Sequence, residues 1–194
     1  SSVKGTLMEA DTGKVLGAAT SPDRELEMIA KKPGWAEQHP DTWWEHVRRA
    51  TARIWDKVAF APGDVKAIGI SYQMHGLVVV DKSKRVLRPS IIWCDSRAVP
   101  IGRQAAKDLG AKKCLKRLLN LPGNFTASKL KWVKDNEPKV YSKIHKMMLP
   151  GDFIAMKMTG DIRTTPSGLS EGIMWDFEKD HLADFVLANY GVET

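Results

Sequence analysis

The residues best equipped for binding chemistry stand in Ser71-Tyr72-Gln73-Met74-His75-Gly76, a polar break between two apolar runs. A ligand rich in hydroxyl groups needs side chains that both donate and accept hydrogen bonds. Gln73 does both, and a neutral His75 has one donor and one acceptor nitrogen. Gly76 lets the backbone bend or approach a ligand, and strand ends are where sites tend to be built. Read alone, a single histidine in a loop is more often structural.

A second group, Trp93-Cys94-Asp95-Ser96-Arg97, also follows an extended run and opens a helical stretch. Asp95 can accept from hydroxyls and Arg97 offers planar, forked donors, so both could line a polar pocket. The plainer alternative makes Asp95 the N-cap of the next helix and Trp93 a core residue. The third group, Thr126-Ala127-Ser128-Lys129-Leu130-Lys131-Trp132-Val133, reads as an N-capped amphipathic helix whose simplest role is packing. Asp11, Asp41, Asp64, Asp81, Asp152, Asp161 and Asp176 are scattered through turns and caps, and no two carboxylates have a spacing that suggests acid–base work. There is no Walker A loop and no Rossmann glycine fingerprint.

The elements that must position these groups follow from periodicity. Val3 to Glu9 and Val15 to Thr20 are β-prone runs around an Asp- and Gly-containing turn, a hairpin. Asp41 is expected to cap a helix whose apolar face is Trp43, Val47, Ala50, Ile54 and Val58. Val65 to Ser71 and Leu77 to Asp81 read as buried strands, and Val86 to Trp93 as an extended run with Pro89 at an edge or bulge. From Arg97 onward the period is helical, with stops at Gly110, Leu121-Pro122-Gly123 and Glu137-Pro138, and with Asp152 expected to cap a helix ending near Gly160. Strands first and helices second, with no fixed repeat, give an α/β or α+β domain with its sheet built mainly from the first half.

The chain has 194 residues, of which 43% are hydrophobic and 27% charged. That suits one well-cored domain and excludes disordered, collagen-like and disulfide-scaffold classes. Cys94 and Cys114 belong to no metal-ligating pattern, so a reducing compartment is expected. Apolar runs such as Leu77 to Val80 are far shorter than the ~20 residues of a membrane span, and the first residues lack the apolar core of a signal peptide. The net charge of +7 is concentrated in Ile101 to Met148, where twelve Lys and Arg face three Asp and Glu. These lysines alternate with Leu115, Leu118, Leu119, Leu130 and Val133, which reads as the solvated faces of amphipathic helices; nucleic acid is the lesser alternative and is not expected as a partner.

Taken together, Trp35-Ala36-Glu37-Gln38 with Trp43-Trp44, Gln73-Met74-His75-Gly76, Arg85 to Pro89 leading into Trp93 to Arg97, Thr126 to Trp132, Leu149 to Phe153, Met158-Thr159-Gly160 and Met174-Trp175-Asp176 resemble the FGGY carbohydrate kinases. Among these, the xylulokinase family is most similar. Cys94 and Asn124 depart from the usual pattern. The resemblance implies an actin-like or ribonuclease H-like α/β domain, a mixed sheet flanked by helices. Residues 1–194 would be the partial N-terminal, sugar-binding domain of a two-domain kinase, truncated at both ends. It implies that Met74 and His75 contact a ketose, with Gln73, Asp95 and Arg97 in the same pocket. Ser1, Ser2 and Lys4 would be the tail of a phosphate loop. No residue here is given the catalytic role, which the family assigns to an Asp expected beyond Thr194, and no metal ligand is assigned.

The intact enzyme is accordingly expected to be cytoplasmic, away from membranes and open to homodimer formation. It would use ATP and Mg²⁺ to phosphorylate a pentulose, D-xylulose before ribulose or gluconate. The isolated chain is expected to bind no nucleotide tightly, to be inactive and to be marginally stable; a non-catalytic sugar-binding module is the alternative from another class.

Overall fold

In the computed structural model, which describes residues 2–193, the expected hairpin forms: β1 (Val3–Met8) pairs antiparallel with β2 (Val15–Ser21). The reversal needs a left-handed residue, which Gly13 supplies at φ 70°, with its amide donating to the Glu9 carbonyl at 2.9 Å. After β3 (Glu37–Gln38), helix α1 (Pro40–Trp55) buries Trp43, His46, Ala50 and Ile54 at helical spacing. Asp41 is not its cap: His39 holds that place, Pro40 starts the helix, and Asp41 lies in the first turn, where its charge suits the helix dipole.

The sheet is smaller than the apolar runs suggest. Val65–Ser71 was expected as a buried strand, yet it is irregular, with Ile68 66% exposed. No strand among the described residues pairs with it. Leu77–Asp81 narrows to β4 (Val78–Val80), and Val86–Trp93 to β5 (Ser90–Ile91), with Pro89 just outside the pairing, as a residue without an N–H requires. β3 pairs with β5, and β4 with β6 (Lys146–Met148), both antiparallel. Strand pairing therefore draws on both halves of the chain.

Alternation along one strand then builds two cores. Val78 and Val80 face Trp43, Ile92, Met148 and Phe153, whereas Leu77 and Val79 face Ile91, Leu130 and Val133. All four are fully buried, as expected of a strand covered on both sides.

The helical half comprises α2 (Val99–Leu109), α3 (Ala111–Leu118), α4 (Thr126–Asn136), α5 (Pro138–Tyr141), α6 (Pro150–Thr159) and α7 (Pro166–Glu171). The pair β7 (Trp175–Asp176) and β8 (His181–Leu182) leads into α8 (Asp184–Tyr190). The expected stops at Gly110, Pro138 and Gly160 hold. Asp152 is the third residue of α6 and not its cap; its carboxylate accepts from the Leu149 amide at 3.3 Å. A third core joins Ala105, Cys114, Leu118, Ala127, Val186 and Leu187. Leu115 and Leu119 lie outside it and are exposed, so the apolar stripe of α3 is narrower than its leucines imply. No helix among the described residues is long and apolar enough to cross a membrane.

One close approach fixes how α2 meets the loop before α4. A Cβ on Gly102 would lie 2.1 Å from the Gly123 carbonyl oxygen, a backbone atom that cannot swing aside. Gly102→Ala is expected to destabilise the protein by about 1–3 kcal/mol through overpacking, measured as a lower urea midpoint with an unchanged slope.

Candidate functional site

Four segments converge on residues 73–76, and the start of α4 organises them. Lys129 Nζ donates to the carbonyls of His75 (2.6 Å) and Ile92 (2.9 Å), while Thr126 Oγ1 donates to the Gly76 carbonyl at 3.3 Å. The Ala127 amide donates to the Gly172 carbonyl at 3.2 Å, which ties in the end of α7. Thr126 therefore does not cap its own helix; its hydroxyl is spent on the loop. Lys129 is fully buried, and burial lowers its ammonium to about 8 against the opposing pull of Asp95. Its amino group has donors enough for both carbonyls.

Gln73, Met74 and His75 come together at this point. Met74 is 55% exposed, an apolar lip at the surface. Gln73 Oε1 is buried and has no hydrogen-bond partner among the described residues. His75 adopts the left-handed backbone conformation, φ 59°, and its ring meets Phe125 edge-on at 4.5 Å between centroids. Burial holds its imidazole below the usual histidine range, which favours the neutral ring. Gly76 is required by closeness: a Cβ there would lie 2.5 Å from Pro150 Cγ.

Asp95 and Arg97 sit deeper. Asp95 has no exposed surface; its carboxylate accepts from the Ala36 amide (2.6 Å), the Arg97 amide (2.9 Å) and the Arg97 guanidinium, Nη2 to Oδ2 at 2.7 Å. The helix-cap alternative for Asp95 does not hold, because α2 begins after Ala98. Arg97 also donates to Glu37 Oε1 at 2.7 Å, and its guanidinium lies 3.8 Å from the Trp35 ring centre and 4.8 Å from that of Trp132. Arg88 donates to the same Glu37 oxygen at 2.5 Å and to Glu137 at 2.7 Å. Trp93 is 54% exposed, on the outer side of this turn, and so is not a core residue.

Ser1 lies outside the described residues. Ser2 lines a hollow of about 310 Å³ with Thr20, Pro22, Asp23, Arg24 and Glu25, and Lys4 is exposed on β1. An apolar groove of about 530 Å³ runs along α1 between Trp44, Val47, Trp55, Ile68 and Met158. Neither hollow includes residues 73–76. Residue patterns alone left out Lys129, whose place between Thr126, Leu130 and Val133 on the buried stripe of α4 was the available signal, and Glu171, for which no local signal existed.

The buried ion-pair chain yields a stability test. Arg97→Met removes the cation shared by Asp95 and Glu37 and leaves carboxylate charge buried with fewer partners, so a loss of about 3–5 kcal/mol is expected. Arg97→Lys should recover only part of it, because an ammonium lacks the planar fork and the stacking face. Denaturant unfolding of both variants checks this.

Residues 1–194 match the family model described as "FGGY family of carbohydrate kinases, N-terminal domain". A xylulose kinase of Escherichia coli (strain K12) is 36% identical over 188 residues, covering 96% of this chain and 37% of that protein. A xylulose kinase of Klebsiella pneumoniae is 34% identical over 189 residues, 97% of this chain and 38% of that protein. Among solved structures, a xyloylose kinase from Brucella ovis superposes with TM-score 0.88 at 30% identity, over 98% of this chain and 39% of that one. The chain thus spans under two fifths of the length of these relatives, and its fold is the actin-like α/β fold of their N-terminal domains. By sequence and by fold together, this chain belongs to the FGGY family of carbohydrate kinases.

Proposed function

We propose that these residues form the sugar-binding side of an enzyme that transfers the γ-phosphoryl group of ATP to a hydroxyl of D-xylulose. The observation that carries this reading is the 36% identity, over 96% of the chain, to a protein named as a xylulose kinase. In this reading Met74 offers an apolar lip to the carbon skeleton, while Gln73 and His75 meet hydroxyls with one acceptor each. Asp95 and Arg97 act from behind them: saturated by each other and by Glu37, they hold the wall from which the loop projects.

In the reaction, the sugar oxygen bonds to the γ-phosphorus as the bridging bond to the β-phosphate breaks, and the hydroxyl proton passes to a base. None of these residues is given the role of base. What they contribute is orientation, which converts an encounter into a near-attack geometry. Ser2 and Lys4 carry a hydroxyl and an ammonium suited to phosphate oxygens, and we assign them the edge of the nucleotide site. The family chemistry calls for Mg²⁺, but no group of three His, Cys, Asp or Glu among the described residues could hold a metal ion. A cytoplasmic location, where ATP is available, belongs to the same reading.

A coupled assay of ADP release by the full-length protein, run with xylulose, ribulose, gluconate and glycerol, tests the substrate; a preference for any sugar other than xylulose overturns the assignment. His75→Ala is expected to lower kcat/KM for the sugar roughly tenfold to a hundredfold, the range for one lost hydrogen bond in a polar site. The KM for ATP should stay at the parent value.

A further inference from the structure

The end of α7 meets His75 in a way that neither the family match nor the reading above requires. The His75 amide donates to Glu171 Oε1 at 2.5 Å, and His75 Nδ1 lies 3.2 Å from the Glu171 main-chain oxygen. Glu171 is the last residue of α7, so its carbonyl is one of those a helix leaves without an internal partner. A carbonyl can only accept. Nδ1 must therefore carry the hydrogen in that contact.

We propose that Glu171 is a positioning residue for His75, its carboxylate fixing the loop amide and its carbonyl fixing the Nδ1–H tautomer, so that Nε2 is presented as a bare acceptor to a substrate hydroxyl. The proposal rests on the sugar-binding reading given above for His75. Tyr72 lies on the side of Glu171, where the burial of its phenol and the negative charge of Glu171 both raise its pKa. Lys129 donates to the His75 carbonyl, and its charge further favours the neutral ring. The edge-on Phe125 ring has no proton to offer or take. The left-handed backbone at His75 is uncommon for a residue with a side chain, and the Glu171 carboxylate is the acceptor that satisfies its amide. A ring so held accepts one hydrogen bond outward, which selects a ligand group that donates: a hydroxyl, not a carbonyl or a phosphate dianion.

Two measurements on the full-length protein test this. Nitrogen-15 NMR of the imidazole, assigned by loss of the signal in His75→Gln, should show a protonated Nδ1 and a pyridine-type Nε2 at neutral pH; the reverse tautomer overturns the proposal whatever the kinetics. Glu171→Ala should raise the sugar KM about tenfold, the scale of one hydrogen bond, with the ATP KM unchanged. Glu171→Gln should recover most of that loss, because an amide oxygen still accepts from the His75 amide. An unchanged sugar KM in Glu171→Ala, beside a damaged His75→Ala, sinks the role of Glu171 and leaves the sugar-binding reading intact. An undamaged His75→Ala sinks that reading and with it the substrate contact. If Glu171→Ala does not fold, the tautomer in the parent protein decides alone.

Discussion

The structure turns on a guanidinium placed where water does not reach. Arg97 packs against two nearly perpendicular indole rings and pairs with two carboxylates, and Arg88 shares Glu37 and reaches on to Glu137. Desolvating charge on this scale is unfavourable unless geometry is good and remaining donors and acceptors are met. Here the planar fork of arginine matches Asp95 through two nitrogens and still reaches Glu37. Such a network contributes less to net stability than to uniqueness of arrangement, since any shift of β3, β5 or the 93–97 turn would strand a charge.

That arrangement is passed to the surface by α4. Trp132 lies against the buried guanidinium, and one and nearly two turns earlier on the same helix Lys129 and Thr126 hold the carbonyls of Ile92, His75 and Gly76. A single rigid helix thereby registers the charged interior against the loop that carries Gln73, Met74 and His75. The signature segment is more than an amphipathic packing helix for this reason: its inward-facing polar atoms are ties between segments far apart in sequence.

What could be read from the sequence was what depends on near neighbours. The hairpin around Gly13, the buried stripe of α1 and the breaks at Gly110 and Pro138 each follow from spacing or from one residue's backbone limits. Caps are less legible, because Asp41 and Asp152 stand after a proline that starts the helix, and a first-turn carboxylate looks like a cap by composition. Val65–Ser71 has the composition of a strand, but a strand exists only with a partner, and among the described residues no strand is hydrogen-bonded to it. The motif residues were found by type, yet the depth of Asp95 and the reach of Glu171 across 96 positions belong to the tertiary fold.

The left-handed backbone at His75 has a consequence for how this site can vary. With φ at 59°, the position tolerates glycine, asparagine, aspartate and histidine far better than it tolerates branched or bulky side chains. The main chain thus acts as a filter on the chemistry available at the ligand contact: it admits short side chains with hydrogen-bonding heads and rejects valine, isoleucine and threonine before any ligand is met. Divergence toward other substrates would then proceed within a small polar alphabet at this residue, with larger changes in shape and charge falling to Gln73, Met74 and the exposed rim around Trp93.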